Sequence, residues 1–406
     1  MDRKQRFQGT VIKAGETLTS FPAPFTIAKN QPVIIAEESQ SGGGAFGKKS
    51  DPAVLPSGMG RGCGLLIDGA DIYLFVLQSA APYLTVYKNF EKIANPATVP
   101  TAMPIRMTTL TFGGGKALAA QVMGNNQFIV YVIQSGDLQN VDYAQMLPSA
   151  FPVTGTCCAM SGYVIHIGSM TSPYFFNADL GTGQPIPNPA IMPTGIVMGM
   201  ARTGNKLIMA HQTSPYITAY DCTNKPYVKI VDPAVLPEGN GSHCDISPDG
   251  KYLAVCIDTA PYLCIYDITT TPFTRVANAD IAPTGTPQHC AYSPDGKYLA
   301  VCNTAAPFVQ IYDCSSVPYK KLAYPEVVPT AAALGSAWSA DSKLFAVANA
   351  GAPAIIIYEV SGGTIKVKVI NKVSNSLTDL KELAAQFGVS RTSANNGENV
   401  DIGVWL

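Results

Sequence analysis

Four histidines, His166, His211, His243 and His289, are the side chains of this sequence best suited to proton or metal chemistry near neutral pH. Two of them, His243 and His289, stand 46 residues apart in segments that are otherwise nearly the same. Two facing imidazoles are half of a metal site or of a proton relay. Asp249, Asp295 and Asp341 invite a similar thought, because paired carboxylates can divide acid and base roles. They too recur at intervals of 46. Side chains related by a repeat hold one structural position in separate copies, so they do not converge on one substrate. The histidines are therefore expected to hydrogen-bond a neighbouring copy, and the aspartates to hold their own turns. No catalytic set and no metal site follow.

Other nucleophile and ligand signals fail in the same way. The ten cysteines contain no CxxC pair. Cys244 and Cys290 are one repeat apart, as are Cys256 and Cys302, and Cys222 and Cys314 fall at equivalent positions. Recurrence of this kind marks small buried hydrophobes, not a disulfide framework. GxSxG, P-loop and HExxH patterns are absent. Gly113-Gly114-Gly115-Lys116 resembles a phosphate loop only superficially, since it aligns with the Pro-Asp-Gly-Lys turn of other copies.

The elements that must carry these residues emerge from the period itself. His243 to Cys256 reads HCDISPDGKYLAVC, and His289 to Cys302 reads HCAYSPDGKYLAVC. Each leads into an Ala-Pro-Tyr or Ala-Pro-Phe step and then Ile-Tyr-Asp. Pro215, Pro261, Pro307 and Pro353 are 46 apart, Pro173 precedes them by 42, and Pro82 lies 91 earlier still. One more copy, from Lys116 to Tyr131 with Asn126 at the proline position, fills that gap. A tyrosine follows five residues later as Tyr87, Tyr131, Tyr220, Tyr266, Tyr312 and Tyr358, and only the copy at Asn177-Ala178 lacks it. A second marker proline recurs as Pro56, Pro100, Pro148, Pro193, Pro237, Pro283 and Pro329, giving seven units.

Each unit spells out strands. CDIS and KYLAVC are apolar runs joined by Pro-Asp-Gly, in which proline presets φ, aspartate bonds nearby backbone and glycine takes a positive φ. YLCIYD is a third strand rich in aromatic and β-branched residues, and Phe273 to Ile281 supplies a fourth. Four strands in about 45 residues is the spacing of a propeller blade. The fold class predicted is all-β, a seven-bladed β-propeller over 51–370. An N-terminal arm with a Gly-rich linker (Ser41 to Gly44) occupies 1–50, and a small C-terminal α/β tail 371–406. The hexapeptide Asp51-Pro52-Ala53-Val54-Leu55-Pro56, repeated at Asp232 to Pro237, is expected to close the ring. It would do so as the outer strand of the last blade or beside Thr364 to Ile370.

Outside the ring, Thr10 to Lys13 and Pro32 to Ala36 look like short strands, Ser376 to Phe387 like a capped helix, and Val400 to Leu406 like a strand. The run Leu383 to Ser390 resembles both the helix-turn-helix family and LysM carbohydrate-binding modules. A docking helix with a β tail is the simpler reading.

Five aromatics, Tyr83, Tyr174, Tyr216, Tyr262 and Phe308, follow the ruler proline directly. Their regularity favours packing between blades. A circle of rings on one face is equally a surface for a sugar or a protein partner, so these five are the candidate binding residues.

Bulk properties set outer limits. Hydrophobic residues make up 47% of the 406 and charged residues 14%, too apolar for disorder. With 27 basic against 28 acidic residues and no basic stripe, nucleic acid is not an expected partner. No secretory signal follows Met1, and no window reaches the ~20 apolar residues of a membrane span. Synthesis in the cytoplasm without membrane insertion is expected.

The Ser-Pro-Asp-Gly-Lys-Tyr-Leu-Ala-Val, Ala-Pro-Tyr-Leu-x-Ile-Tyr-Asp and Pro-Thr-Gly steps, strongest over 242–330, resemble WD40-like propeller repeats of tailed-bacteriophage virion proteins. The Trp-Asp and Gly-His signatures of WD40 repeats proper are absent. The resemblance implies a structural or adhesion component of a phage particle, in the tail or on the capsid surface. Its expected partners are other virion proteins and a host surface glycan, and it would be present as a homo-oligomer or in many copies. No cofactor and no enzymatic activity are expected. A cytoplasmic interaction scaffold is the alternative, and a propeller hydrolase or lactonase a more distant one.

Overall fold

The computed structural model describes residues 46–360, apart from 98, 113–114, 123–127, 135–136, 143–154, 180 and 326. Beyond that span it describes the strand segments 26–27, 33–38, 365–370, 389–391 and 400–404. The expected strand at Thr10 to Lys13, the Ser41 to Gly44 linker and the helix at Ser376 to Phe387 lie outside the described residues. Two compact units divide the chain, Phe46–Val360 and the pair of segments Met1–Ala45 with Ser361–Leu406.

The Phe46–Val360 unit is all-β, and its described residues form seven four-stranded antiparallel sheets. The fifth sheet shows the pattern. Gly241–Ile246 pairs with Tyr252–Ile257, that strand with Leu263–Asp267, and that one with Thr274–Arg275. The outer strand is only two residues long, shorter than the Phe273 to Ile281 stretch expected for it. Short outer strands are one way sheet proteins protect exposed edges. The seven first strands begin at Gly60, Pro104, Gly155, Val197, Gly241, Pro287 and Ala333. Each neighbours the next, and the strand from Ala333 neighbours the strand from Gly60, so the inner strands close into a ring. This is a β-propeller.

Ring closure differs in detail from the expectation. The outer strand of the last sheet is Phe46–Lys48, paired antiparallel with Tyr358 to Val360. Lys49 N–H adds a bond to the Ile357 carbonyl at 2.8 Å. The hexapeptide Asp51 to Pro56 follows as irregular chain. Pro52 and Pro56 lack N–H donors, which suits a linker better than a ladder. Ile365–Ile370 pairs instead with Val33–Glu38 in the other unit. The propeller therefore runs from 46 to 360, where the repeat pattern placed it at 51–370. The remaining pairings of the second unit join Thr26–Ile27 to Val400–Val404 and Val389–Arg391 to Val400–Val404.

The core lies between sheets. Ala201, Ile208 and Ile217 of the fourth sheet pack on Cys244, Leu253, Val255 and Tyr266 of the fifth. Cys63, Leu65, Leu74 and Val76 of the first pack on Ala337, Ala346, Ile355 and Ile357 of the last. Phe46 is fully buried between the sixth and last sheets, edge-on to Tyr298 at 5.3 Å and Trp338 at 6.1 Å. All ten cysteines are free and most are buried. Burial pushes Cys157 up to about 11 and Cys302 up to about 12, so both remain thiols.

The Pro-Asp-Gly turns form as their chemistry dictates. Ser247 Oγ donates to Asp249 Oδ1 at 2.6 Å, Lys251 N–H donates to the same oxygen, and Tyr252 N–H donates to Ser247 Oγ. Gly250 takes a φ of +73°. The same bonds recur at Ser293, Asp295 and Tyr298, and at Ser339, Asp341 and Leu344. These hydrogen bonds hold each carboxyl below its ordinary range against a desolvation that opposes them.

Candidate functional site

In an antiparallel sheet that starts at the ring centre, the second-to-third turn lies on the face opposite the first-to-second turn. The aspartate turns thus mark one face of the propeller and the ruler prolines the other. Every ruler peptide in the described sheets is cis, from Ala81-Pro82 to Ala352-Pro353. The aromatic that follows sits at a positive φ of 64° in Tyr83, 65° in Tyr174 and Tyr262, and 68° in Tyr216 and Phe308. In each of these turns its N–H reaches back three residues to a carbonyl at 2.8 Å. Its own carbonyl then accepts the N–H that ends the second strand.

Left-handed backbone is cheapest for glycine. Five aromatics occupy it, and the last sheet, with Ala354 there, does not adopt it. The ring is thus what these positions share. All five are half-buried, one per sheet, and no two of them are in ring contact. Tyr174 packs against the Cys157, Val197 and Met200 cluster between the third and fourth sheets. The structure places the five candidates at one equivalent site around one face and does not gather them into a single pocket.

The same face carries a feature that the tyrosine spacing alone did not disclose. Tyr87 Oη donates to the Val54 carbonyl at 2.7 Å, Tyr220 to Ile191 at 2.8 Å, Tyr266 to Val235 at 3.1 Å and Tyr358 to Val327 at 2.8 Å. Each acceptor lies two residues before a marker proline, in the linker that enters the sheet. With its carbonyl held inward, each acceptor turns an aliphatic side chain outward: Val54 is 49% exposed, Ile191 58%, Val235 54% and Val327 38%. Ile281, at the equivalent position, is 54% exposed. The Tyr312 hydroxyl that would complete that fifth staple is buried without a partner.

At the channel, His243 and His289 occupy the third residue of adjacent inner strands, their rings 4.1 Å apart. Both hydrogen-bond the next sheet. Cys290 N–H donates to His243 Nδ1 at 3.3 Å, and His289 Nδ1 lies 3.2 Å from Ser336 Oγ. Burial and the nearby Arg106 guanidinium push His289 down to about 3. His243 is pushed down by burial, then by His289 and Arg106. Both are neutral imidazoles at physiological pH. Asp245, two residues further along the strand, accepts Tyr292 N–H at 2.8 Å and Ile246 N–H at 2.9 Å. Burial nevertheless raises it to about 6.

Arg106 was not singled out by its type, yet it holds the repeat position of His243 and His289 in the second sheet. Aligning the inner strands on their shared bulge reveals it. The other two histidines are buried within sheets. His166 Nδ1 bonds Asn177 Oδ1 at 2.8 Å and its Nε2 meets Arg202 Nη1. His211 Nε2 bonds Thr218 Oγ1 at 2.9 Å. Burial holds them down, at about 3 and about 4. Among the described residues no group of three His, Cys, Asp or Glu side chains could hold a metal ion. No helix among them is long and apolar enough to cross a membrane.

Fold and site together define a β-propeller whose repeats present one turn chemistry on each face. Solved structures similar to it include these two. Hydrazine synthase of Kuenenia stuttgartiensis matches with a TM-score of 0.54 at 14% identity, over 78% of this chain and 99% of that one. A chain of the mitotic checkpoint complex matches with a TM-score of 0.53 at 14% identity, over 85% of this chain and 99% of that one. At such identity the likeness is one of fold alone. No protein-family model and no curated protein matches the chain.

Proposed function

We propose that this propeller is a non-catalytic binding component that works through protein–protein contacts. The observation that carries this reading is the repeated outward aliphatic at Val54, Ile191, Val235, Ile281 and Val327, each between 38% and 58% exposed. Large apolar side chains at one position in successive repeats give a partner a regular set of apolar contacts. Around them the aromatic turns offer Tyr83, Tyr174, Tyr216, Tyr262 and Phe308 to a protein surface or a host glycan.

The setting we propose is the particle of a tailed bacteriophage, in the tail or on the capsid surface, with the chain in many copies. The likeness of its repeats to those of phage virion proteins supports this. Mass spectrometry of purified particles is the test, and the chain is expected among the structural proteins. Absence from particles, together with specific partners captured from bacterial lysate, would favour a cytoplasmic scaffold. A glycan array with the wild-type chain and a Tyr216→Ala, Tyr262→Ala double variant tests the sugar contact separately.

A further inference from the structure

The channel contains a cation without a counter-ion. Arg106 leaves the inner strand of the second sheet and its Nη2 donates to the Ser242 carbonyl, in the fifth, at 3.0 Å. In a ring of seven these two sheets stand as far apart as sheets can, so the side chain crosses the channel. No carboxylate pairs with it among the described residues, and its Nη1 is buried with no hydrogen-bond partner. An unpaired buried charge is among the costlier arrangements a protein can hold. Beside it stand His243 and His289. The Nδ1 of His243 already accepts Cys290 N–H, which leaves the proton of the neutral ring on Nε2. The channel thus brings together a guanidinium donor and an imidazole N–H donor.

We propose that the propeller channel binds a small free anion, chloride or an oxyanion such as phosphate, on Arg106 Nη1 with His243 beside it. The ligand class follows from the donors. Guanidinium and N–H groups in a partly desolvated setting bind anionic atoms through charge-assisted hydrogen bonds. Size follows from the span, because a channel that one arginine side chain crosses admits an ion but not a sugar ring or a peptide. The ion would neutralise the guanidinium and tie the second sheet to the fifth across the ring. It would thereby stabilise the folded state in proportion to the logarithm of its concentration.

The full-length chain is crystallised with sodium bromide, and anomalous differences are collected at the bromine edge. An anomalous peak within hydrogen-bond distance of Arg106 Nη1 is expected. In parallel, thermal unfolding is followed against chloride, phosphate and acetate at constant ionic strength. The wild-type Tm should rise with the logarithm of the concentration of one of these anions. Arg106→Met should lose that dependence, while Lys251→Met on the opposite face keeps it. The anion giving the greater rise tells halide from oxyanion. Bromide crystals without a peak beside Arg106, together with a wild-type Tm that none of the three anions raises, overturn the proposal even if Arg106→Met fails to fold. A folded Arg106→Met chain with unchanged anion dependence overturns it as well.

Discussion

A single hydrogen bond separates two otherwise equivalent tyrosines. Tyr358 donates to the Val327 carbonyl at 2.8 Å, whereas the Tyr312 hydroxyl is buried unpaired. Removing a paired buried hydroxyl leaves its acceptor unsatisfied and costs about 1 kcal/mol, while removing an unpaired one costs nothing or stabilises. Tyr358→Phe is therefore expected to lower the urea midpoint and Tyr312→Phe to leave it or raise it. Equal losses in the two variants would refute the staple. Asp245 gives a pH-dependent test at the same scale. Its folded pKa, about 6, lies above the ordinary 3.8, because burial outweighs two backbone hydrogen bonds. Between these values the folded state binds the extra proton, so the stabilisation is complete below the unfolded pKa and is lost as pH rises through about 6. Two pKa units correspond to about 3 kcal/mol. Asp245→Asn keeps an acceptor for Tyr292 N–H and removes the titration. Its stability relative to wild type should rise between pH 4 and pH 7 in chemical denaturation, and parallel profiles would sink the assignment.

Inner strands meet so closely that certain elements tolerate no side chain. A Cβ on Gly199 would lie 2.6 Å from His243 Cα, and one on Gly335 would lie 2.9 Å from Gly62 Cα. In both cases backbone must move, and overpacking of this kind costs roughly 1–3 kcal/mol or more. Gly199→Ala and Gly335→Ala are each expected to lower Tm clearly. Gly204→Ala, at a hairpin with open space around its Cβ, pays only for a positive φ of +52°. Much of this was legible beforehand. The Ser-Pro-Asp-Gly turns, the first three strands of each unit and the repeated cysteines could be read directly, because short-range backbone chemistry governs them. The outer strands were less so. Two-residue strands such as Lys320–Lys321 leave almost no pattern, and the strand Phe46–Lys48 finds its partner 310 residues away.

At the scale of the whole molecule, the ring closes through that strand. Phe46 fills the space among Tyr298, Trp338 and Phe345, and Lys49 pairs with Glu359 at 2.6 Å. Truncation before residue 46 should leave a cooperatively unfolding propeller. Truncation before residue 51 removes the closing strand and exposes the edge of Ile355–Val360. Comparing the two truncated chains by thermal unfolding and light scattering should show the longer deletion both less stable and more prone to associate. Equal behaviour would mean that the ring does not depend on this closure.

Periodicity in the chain determined the repeat, its turns, the sheet-forming units and the independence of its aspartates, because each depends on neighbours within about 46 residues. Even the bond from His289 to the next sheet follows from position in the repeat. Tertiary structure alone decided which segment closes the ring, that Arg106 reaches Ser242 across it, and which tyrosine hydroxyls find carbonyls. These depend on distances between parts of the chain that no local pattern relates, and they exist only once seven sheets have been bent around a common axis.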